Sequence, residues 1–216
     1  MVLSALLIES LTTDPVHYVS WVFTVVLSIV LHELGHGVAA LSQGDDTPRV
    51  SGHMTLDPLV HMGGTSLLFL AIVGIAWGQM PVNPARFRSR HGDAIVAAAG
   101  PLVNLLLAFV GLTILGVWLR TAGLPEEGST TWNLMHFFEV FGVANLVLCM
   151  LNLIPIPPLD GSAVLASFSR PYRQLISDPD RQGVFFVVFI GVFLIAGKLF
   201  EAAYWIAGNW VAVLVG

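Results

Sequence analysis

Two histidines with a glutamate between them stand four residues apart in the stretch Leu31-His32-Glu33-Leu34-Gly35-His36-Gly37. On a helix, residues i and i+4 share one face, so the imidazoles of His32 and His36 lie one above the other. Two imidazoles placed this way can bind one zinc ion. Glu33 can then act as general base on a zinc-bound water. Such a spacing also arises by chance on an amphipathic helix. The flanks here, SWVFTVVLSIVL before and GVAALSQG after, are largely apolar and carry no charged residue. Three ionisable side chains in a segment otherwise fit for hydrocarbon are expensive and mark a functional site.

A catalytic zinc takes three protein ligands and keeps one position open for water. The third must be another His, Asp or Glu at the same depth. Asp160 is the best candidate, in LNLIPIPPLDG just after an apolar run. The prolines free the backbone from regular helix, and irregular backbone at membrane depth is tolerated where it is buried in protein or lines a wet cavity. Asp160 alone would suit a helix N-cap after a proline turn; beside the histidine pair, the ligand reading overtakes it. The one cysteine, Cys149, lies in an apolar run. It reads as a packing residue and excludes both an intrachain disulfide and a Cys-based zinc site. His53, His61 and His91 read as solvated loop residues. His53 and His61 could line a cleft, but further ligands would close the position that water needs. His17 and His136 read as interfacial.

The elements that carry these residues belong in a membrane. Of 216 residues, 56% are hydrophobic and 11% charged, where a soluble domain has about 25% charged residues; the mean hydropathy is +0.81. Net charge of −5 says little beside local charge placement. No linker, repeat or low-complexity stretch divides the chain, so the expectation is one membrane-embedded domain over 1–216. The start lacks the basic region of a signal peptide, so no cleaved leader is expected. After an apolar lead-in at 2–11, spans are expected at about 16–41, 94–119, 132–154 and 184–207. Residues 49–56 are expected to form short strands, 81–87 a proline-rich loop, and 160–168 a helix. The apolar run 65–80 has 16 residues, about 24 Å as a helix, against a hydrocarbon core of about 30 Å. The fold class expected is therefore an all-α polytopic membrane protein, a bundle of transmembrane helices with a small re-entrant or β-hairpin element next to a zinc site.

HELGH, then GPLVN at Gly100 to Asn104, then NLIPIPPLDG at Asn152 to Gly161 together closely resemble the site-2 protease family of intramembrane zinc metalloproteases. The resemblance runs over about 16–165, and TLDPL and MPVNPARF between the first two motifs are similar to the compact branch without PDZ or CBS domains. It implies one zinc ion per chain on His32, His36 and Asp160, with Glu33 activating water. It also implies that the Asn152 amide stabilises the reacting carbonyl oxygen, for which the alternative is a helix–helix hydrogen bond. Asn104 is expected to pack or hydrogen-bond near the site. The implied activity is regulated intramembrane proteolysis. The implied substrate is a single-span membrane protein, in this family a transcription factor, an anti-sigma factor or a signal-peptide remnant. The lipid bilayer is the other partner, with no nucleic acid.

If His32, His36 and Asp160 hold one ion, the spans 16–41 and 132–154 must run in the same direction, and 94–119 in the opposite one. Residues 45–80 should then make no net crossing. Arg49, Arg86, Arg88, Arg90, Arg170, Arg173 and Arg181 fall on one side and Arg120 on the other. The positive-inside rule makes the first side cytoplasmic. The expectation is a multi-pass protein of a prokaryotic cell membrane, its zinc nearer the cytoplasmic face. The competing readings are a non-enzymatic transporter or scaffold, and an inactive zinc-binding relative. A strand edge at 49–56 could receive an unwound substrate by strand addition, and the loop 81–87 could help hold it.

Overall fold

The computed structural model describes residues 6–216; the first residues of the lead-in expected at 2–11 lie outside them. Ten α-helices follow in order: α1 (Leu7–Thr13), α2 (Pro15–Ser42), α3 (Thr47–Val50), α4 (Pro58–Val73), α5 (Gly92–Ala122), α6 (Thr130–Asn152), α7 (Asp160–Phe168), α8 (Arg170–Ile176), α9 (Gln182–Leu194) and α10 (Ala196–Val215). No strand occurs among the described residues. α2, α5 and α6 are long and apolar enough to cross a membrane, and the bent pair α9–α10 is a fourth candidate. The architecture is that of an all-α polytopic membrane protein.

Local chemistry starts the two parallel spans. Pro15 opens α2, and the Asp14 carboxylate accepts from the His17 N–H at 3.0 Å, an N-cap beside a proline whose missing donor costs nothing there. Ser129 caps α6 through the Trp132 N–H. The first turn of α2 and the second turn of α6 meet through His17 Nδ1 and His136 Nε2, 3.2 Å apart. Further along, the Asn145 amide donates to Ser28 Oγ at 2.8 Å. The two helices therefore run in the same direction. α5 runs against them, since the Arg88 N–H just before it donates to the Gln43 carbonyl just after α2. Ala108, Leu112, Val143, Leu146, Val147, Ala203 and Ala207 form the core between α5, α6 and α10. Val25, Ile29, Met62 and Leu70 join α2 to α4.

The stretch expected to be re-entrant doubles back as a helix and an extended return. Tyr18 Oη and Trp21 Nε1 donate to the Ala71 and Gly74 carbonyls, so α4 ends beside the start of α2. The chain then returns along α4: Ser66 Oγ bonds both the carbonyl and the N–H of Trp77, and the Gln79 N–H donates to the His61 carbonyl. Gly63 has φ +67° inside α4, a left-handed conformation that glycine adopts without steric cost.

Three expectations are corrected. Residues 49–56 hold no strand, and hence no edge for substrate addition. The Asp45 carboxylate accepts from the Thr47 N–H and hydroxyl and Pro48 lies in the first turn of α3, so turn chemistry overrides strand pattern there. The apolar run 184–207 is not one helix. It divides at Ile195 into α9 and α10, bent by 50°, just before Gly197 and a Lys198–Glu201 ion pair at 2.7 Å that would be costly at mid-bilayer. His61 is not a solvated loop residue: it lies in α4 and is 1% exposed.

Candidate metal centre

Two elements deliver three ligand atoms to one point. α2 carries His32 and His36 on one face, both buried. Asp160 opens α7, after the turn that follows α6. His32 Nε2 and His36 Nε2 are 3.0 Å apart, and Asp160 Oδ2 lies 3.1 Å from the first and 3.4 Å from the second. A tetrahedral ion with bonds of about 2.0–2.1 Å has ligand atoms about 3.3–3.4 Å apart, so the spacing suits zinc. Among the described residues, this is the one group of three or more His, Cys, Asp or Glu side chains so arranged.

The donor set asks for a cation. His36 Nδ1 bonds the Val96 carbonyl at 2.7 Å. A carbonyl can only accept, so the ring proton sits on Nδ1 and Nε2 presents a bare lone pair. His32 Nδ1 bonds Asn104 Oδ1 at 2.6 Å. The Asn104 amide donates to Asn145 Oδ1 at 2.9 Å, and the Asn145 amide to Ser28 Oγ and the Phe141 carbonyl. With the amide orientations this network requires, His32 also carries its proton on Nδ1. Asp160 Oδ2 is buried and receives no donor hydrogen bond. Three acceptors thus converge with no hydrogen between them, which a divalent ion satisfies. Gly100 makes the room: a Cβ there would lie 2.5 Å from both Nε2 atoms.

Glu33 is buried beside this cluster, under the extended return. A Cβ at Gly78 would lie 2.6 Å from Glu33 Oε1, so only a glycine backbone passes this close. His61 lies within electrostatic reach of the Glu33 carboxylate. Its Nε2 donates to the Thr55 carbonyl at 2.7 Å, and its buried Nδ1 has no partner. Asn152 ends α6, and its amide donates to the Leu148 carbonyl one turn back at 3.0 Å; it makes no hydrogen bond to the His32–His36–Asp160 cluster. Asn104 hydrogen-bonds at the site, as the sequence suggests, through His32. Asn145 and Ser28 were not legible as site residues, though a signal existed: Ser28 is one helical turn before His32, and Asn145 is an isolated amide in an apolar span. The proline-rich loop is tied to the end of α2, where Asp45 Oδ2 accepts from the Asn83 N–H at 2.6 Å and Asp46 pairs with Arg86.

The chain is similar to proteins named as zinc metalloproteases. The pattern of Peptidase family M50 matches residues 20–127 and 117–196. A Bacillus subtilis protein named "Putative zinc metalloprotease YwhC" is 34% identical over 176 residues, covering 80% of this chain and 79% of that one. The Mycolicibacterium smegmatis protein named "Putative zinc metalloprotease Rip2" is 32% identical over 208 residues, 90% of this chain and 76% of its own. "Zinc metalloprotease MJ0392" of Methanocaldococcus jannaschii is 28% identical over 153 residues, 70% of this chain and 35% of its own. No solved structure matches. With the family pattern running over most of its length, the chain belongs to Peptidase family M50, the site-2 protease family.

Proposed function

We propose that this protein is an intramembrane zinc metalloprotease that hydrolyses a peptide bond of single-span membrane proteins. Family membership and the names of its relatives support the zinc metalloprotease. The observation that carries the finer reading is the convergence of His32 Nε2, His36 Nε2 and Asp160 Oδ2 beside buried Glu33, within helices fit for a bilayer. His32, His36 and Asp160 would hold one zinc ion, which when bound supplies Lewis acidity toward water and the scissile carbonyl. Glu33 accepts a proton from the attacking water as the new C–O bond forms. It then donates that proton to the amide nitrogen as the C–N bond breaks. Asn152 has a second amide N–H beyond its bond to Leu148, which can donate to the oxygen that gains charge. Burial of Glu33 under Gly78 limits bulk water around that transfer.

The arginine-rich loops that follow α2 and precede α5 support a cytoplasmic position for this end of the protein by the positive-inside rule. The curated relatives are bacterial and archaeal, which supports a prokaryotic cell membrane. The test compares wild type with Glu33→Gln in detergent, measuring bound zinc and cleavage of a single-span reporter. Both should hold zinc, and only the wild type should cleave. Equal cleavage removes Glu33 from the role of base; a zinc-free wild type favours a transporter or scaffold.

A further inference from the structure

At the arginine-rich end, a cavity of about 370 Å³ opens between the start of α5, the end of α7 and the start of α8. Arg90, His91, Ser167, Phe168, Arg170 and Arg173 line it. None of these residues belongs to the metal centre. Arg90 Nε–H donates to His91 Nε2 at 2.9 Å, so the imidazole proton is on Nδ1. That Nδ1 is buried and without a partner, and so is Ser167 Oγ. The His91 ring is held flat against Phe168, centroids 4.9 Å apart. Arg173 is anchored by its Nε–H on the Ala166 carbonyl at 3.0 Å, with Nη2 3.8 Å from Asp93 Oδ2. Three guanidinium groups against that one carboxylate leave the cavity positive. The start of α5 adds to this, for His91 stands at its N-cap with no side-chain cap bond and a helix N-terminus favours negative charge.

Unpartnered donors and several guanidinium groups around one cavity match a group with many acceptor oxygens and negative charge. Carboxylates offer two oxygens in one plane, whereas these donors come from three elements. We propose that this cavity binds a phosphate group. Phe168, 66% exposed, offers an apolar wall beside it, which suits the headgroup of an anionic phospholipid. A free phosphate compound would offer the same oxygens.

The experiment uses the full chain, delipidated in neutral detergent. Binding of phosphatidylglycerol and of phosphatidylcholine is measured by native mass spectrometry, and the thermal midpoint is followed in sodium phosphate against sodium chloride at equal ionic strength. Arg90→Gln/Arg170→Gln is the site variant; both side chains are exposed, so the fold does not depend on them. Arg120→Gln, at the opposite end, is the control. Wild type should bind phosphatidylglycerol at least tenfold more tightly than phosphatidylcholine, the site variant should lose that preference, and the control should keep it. Stabilisation by inorganic phosphate that the site variant lacks would support the same site with a soluble ligand as its source. If wild type and the site variant do not differ toward either probe, the proposal is overturned.

Discussion

Replacing Gly100 by alanine tests whether α5 and α2 are spaced for the metal centre. The new Cβ would stand 2.5 Å from both His32 Nε2 and His36 Nε2, where ordinary contact begins near 3.4 Å. About 0.9 Å of displacement is therefore needed. Metal–ligand distances tolerate only about ±0.2 Å. The imidazoles cannot simply rotate away, because both are held through Nδ1 by α5 itself, at Asn104 and Val96. Breaking such a bond and stranding its donor costs about 1–3 kcal/mol. Parting the helices instead costs about 1–3 kcal/mol of packing, offset by about 0.5–1 kcal/mol for alanine over glycine in a helix. The fold should survive either route, with the ligands displaced by several times their tolerance. Zinc affinity should fall by at least about 100-fold, beyond what losing a supporting hydrogen bond does. Chelator competition and metal analysis read this, with circular dichroism confirming helicity. A folded Gly100→Ala protein with full zinc and wild-type affinity would refute the spacing argument.

Three other outcomes are expected. Asn104→Leu removes the acceptor for His32 Nδ1–H and should weaken zinc binding by about 10–100-fold, read by the same competition. Gly161→Ala drives a Cβ into the Leu153 and Ile154 carbonyls, which cannot rotate aside; thermal stability should drop by about 1–3 kcal/mol, and zinc content with it. Asp45 lies outside the spanning helices. Burial raises its carboxyl, but bonds from the Asn83 N–H and from the Thr47 hydroxyl and N–H, with Arg86 nearby, outweigh that and hold it below the usual carboxylate value. A group depressed in the folded state stabilises fully above its unfolded value of about 3.9 and ceases to do so as pH falls through the lower folded value. The thermal midpoint in detergent should therefore decline on acidification from about pH 4 downward. Asp45→Asn should lower the midpoint at neutral pH and lose that acid limb; identical acid limbs would count against the assignment.

The convergence of His32, His36 and Asp160 was legible because metal-binding chemistry would constrain residue type and spacing together: the two histidines must share a helical face, and Asp160 must follow a span of matching direction. That requirement also pointed to residues 45–80 making no net crossing, where hydropathy alone would draw another span across 65–80. Hydropathy averaging hid the break at Ile195, since one lysine in a long apolar window barely lowers its mean. The strand expected at 49–56 failed because Asp45, Thr47 and Pro48 settle the backbone locally. The buried state of His61 was hidden for another reason. Thr55, six residues back, and the returning chain at Gln79 both close on it, and the second of these contacts lies outside its flanks.

The amides behind His32 form a one-way chain. The Phe141 carbonyl, which cannot donate, fixes the NH2 end of Asn145, and so the oxygen end that faces Asn104. Asn104 must then turn its oxygen to His32. For His36, the Val96 carbonyl does the same in one step. Which imidazole nitrogen is free to ligate is thus written by two main-chain carbonyls, Phe141 on α6 acting through two amides and Val96 on α5 acting directly on the His36 ring. Turning over a single amide would reverse every polarity up to the ring and present a hydrogen where a lone pair is required. The centre has a built-in parity, inherited from the backbone through an even alternation of donors and acceptors, and only one of its two settings can receive a metal.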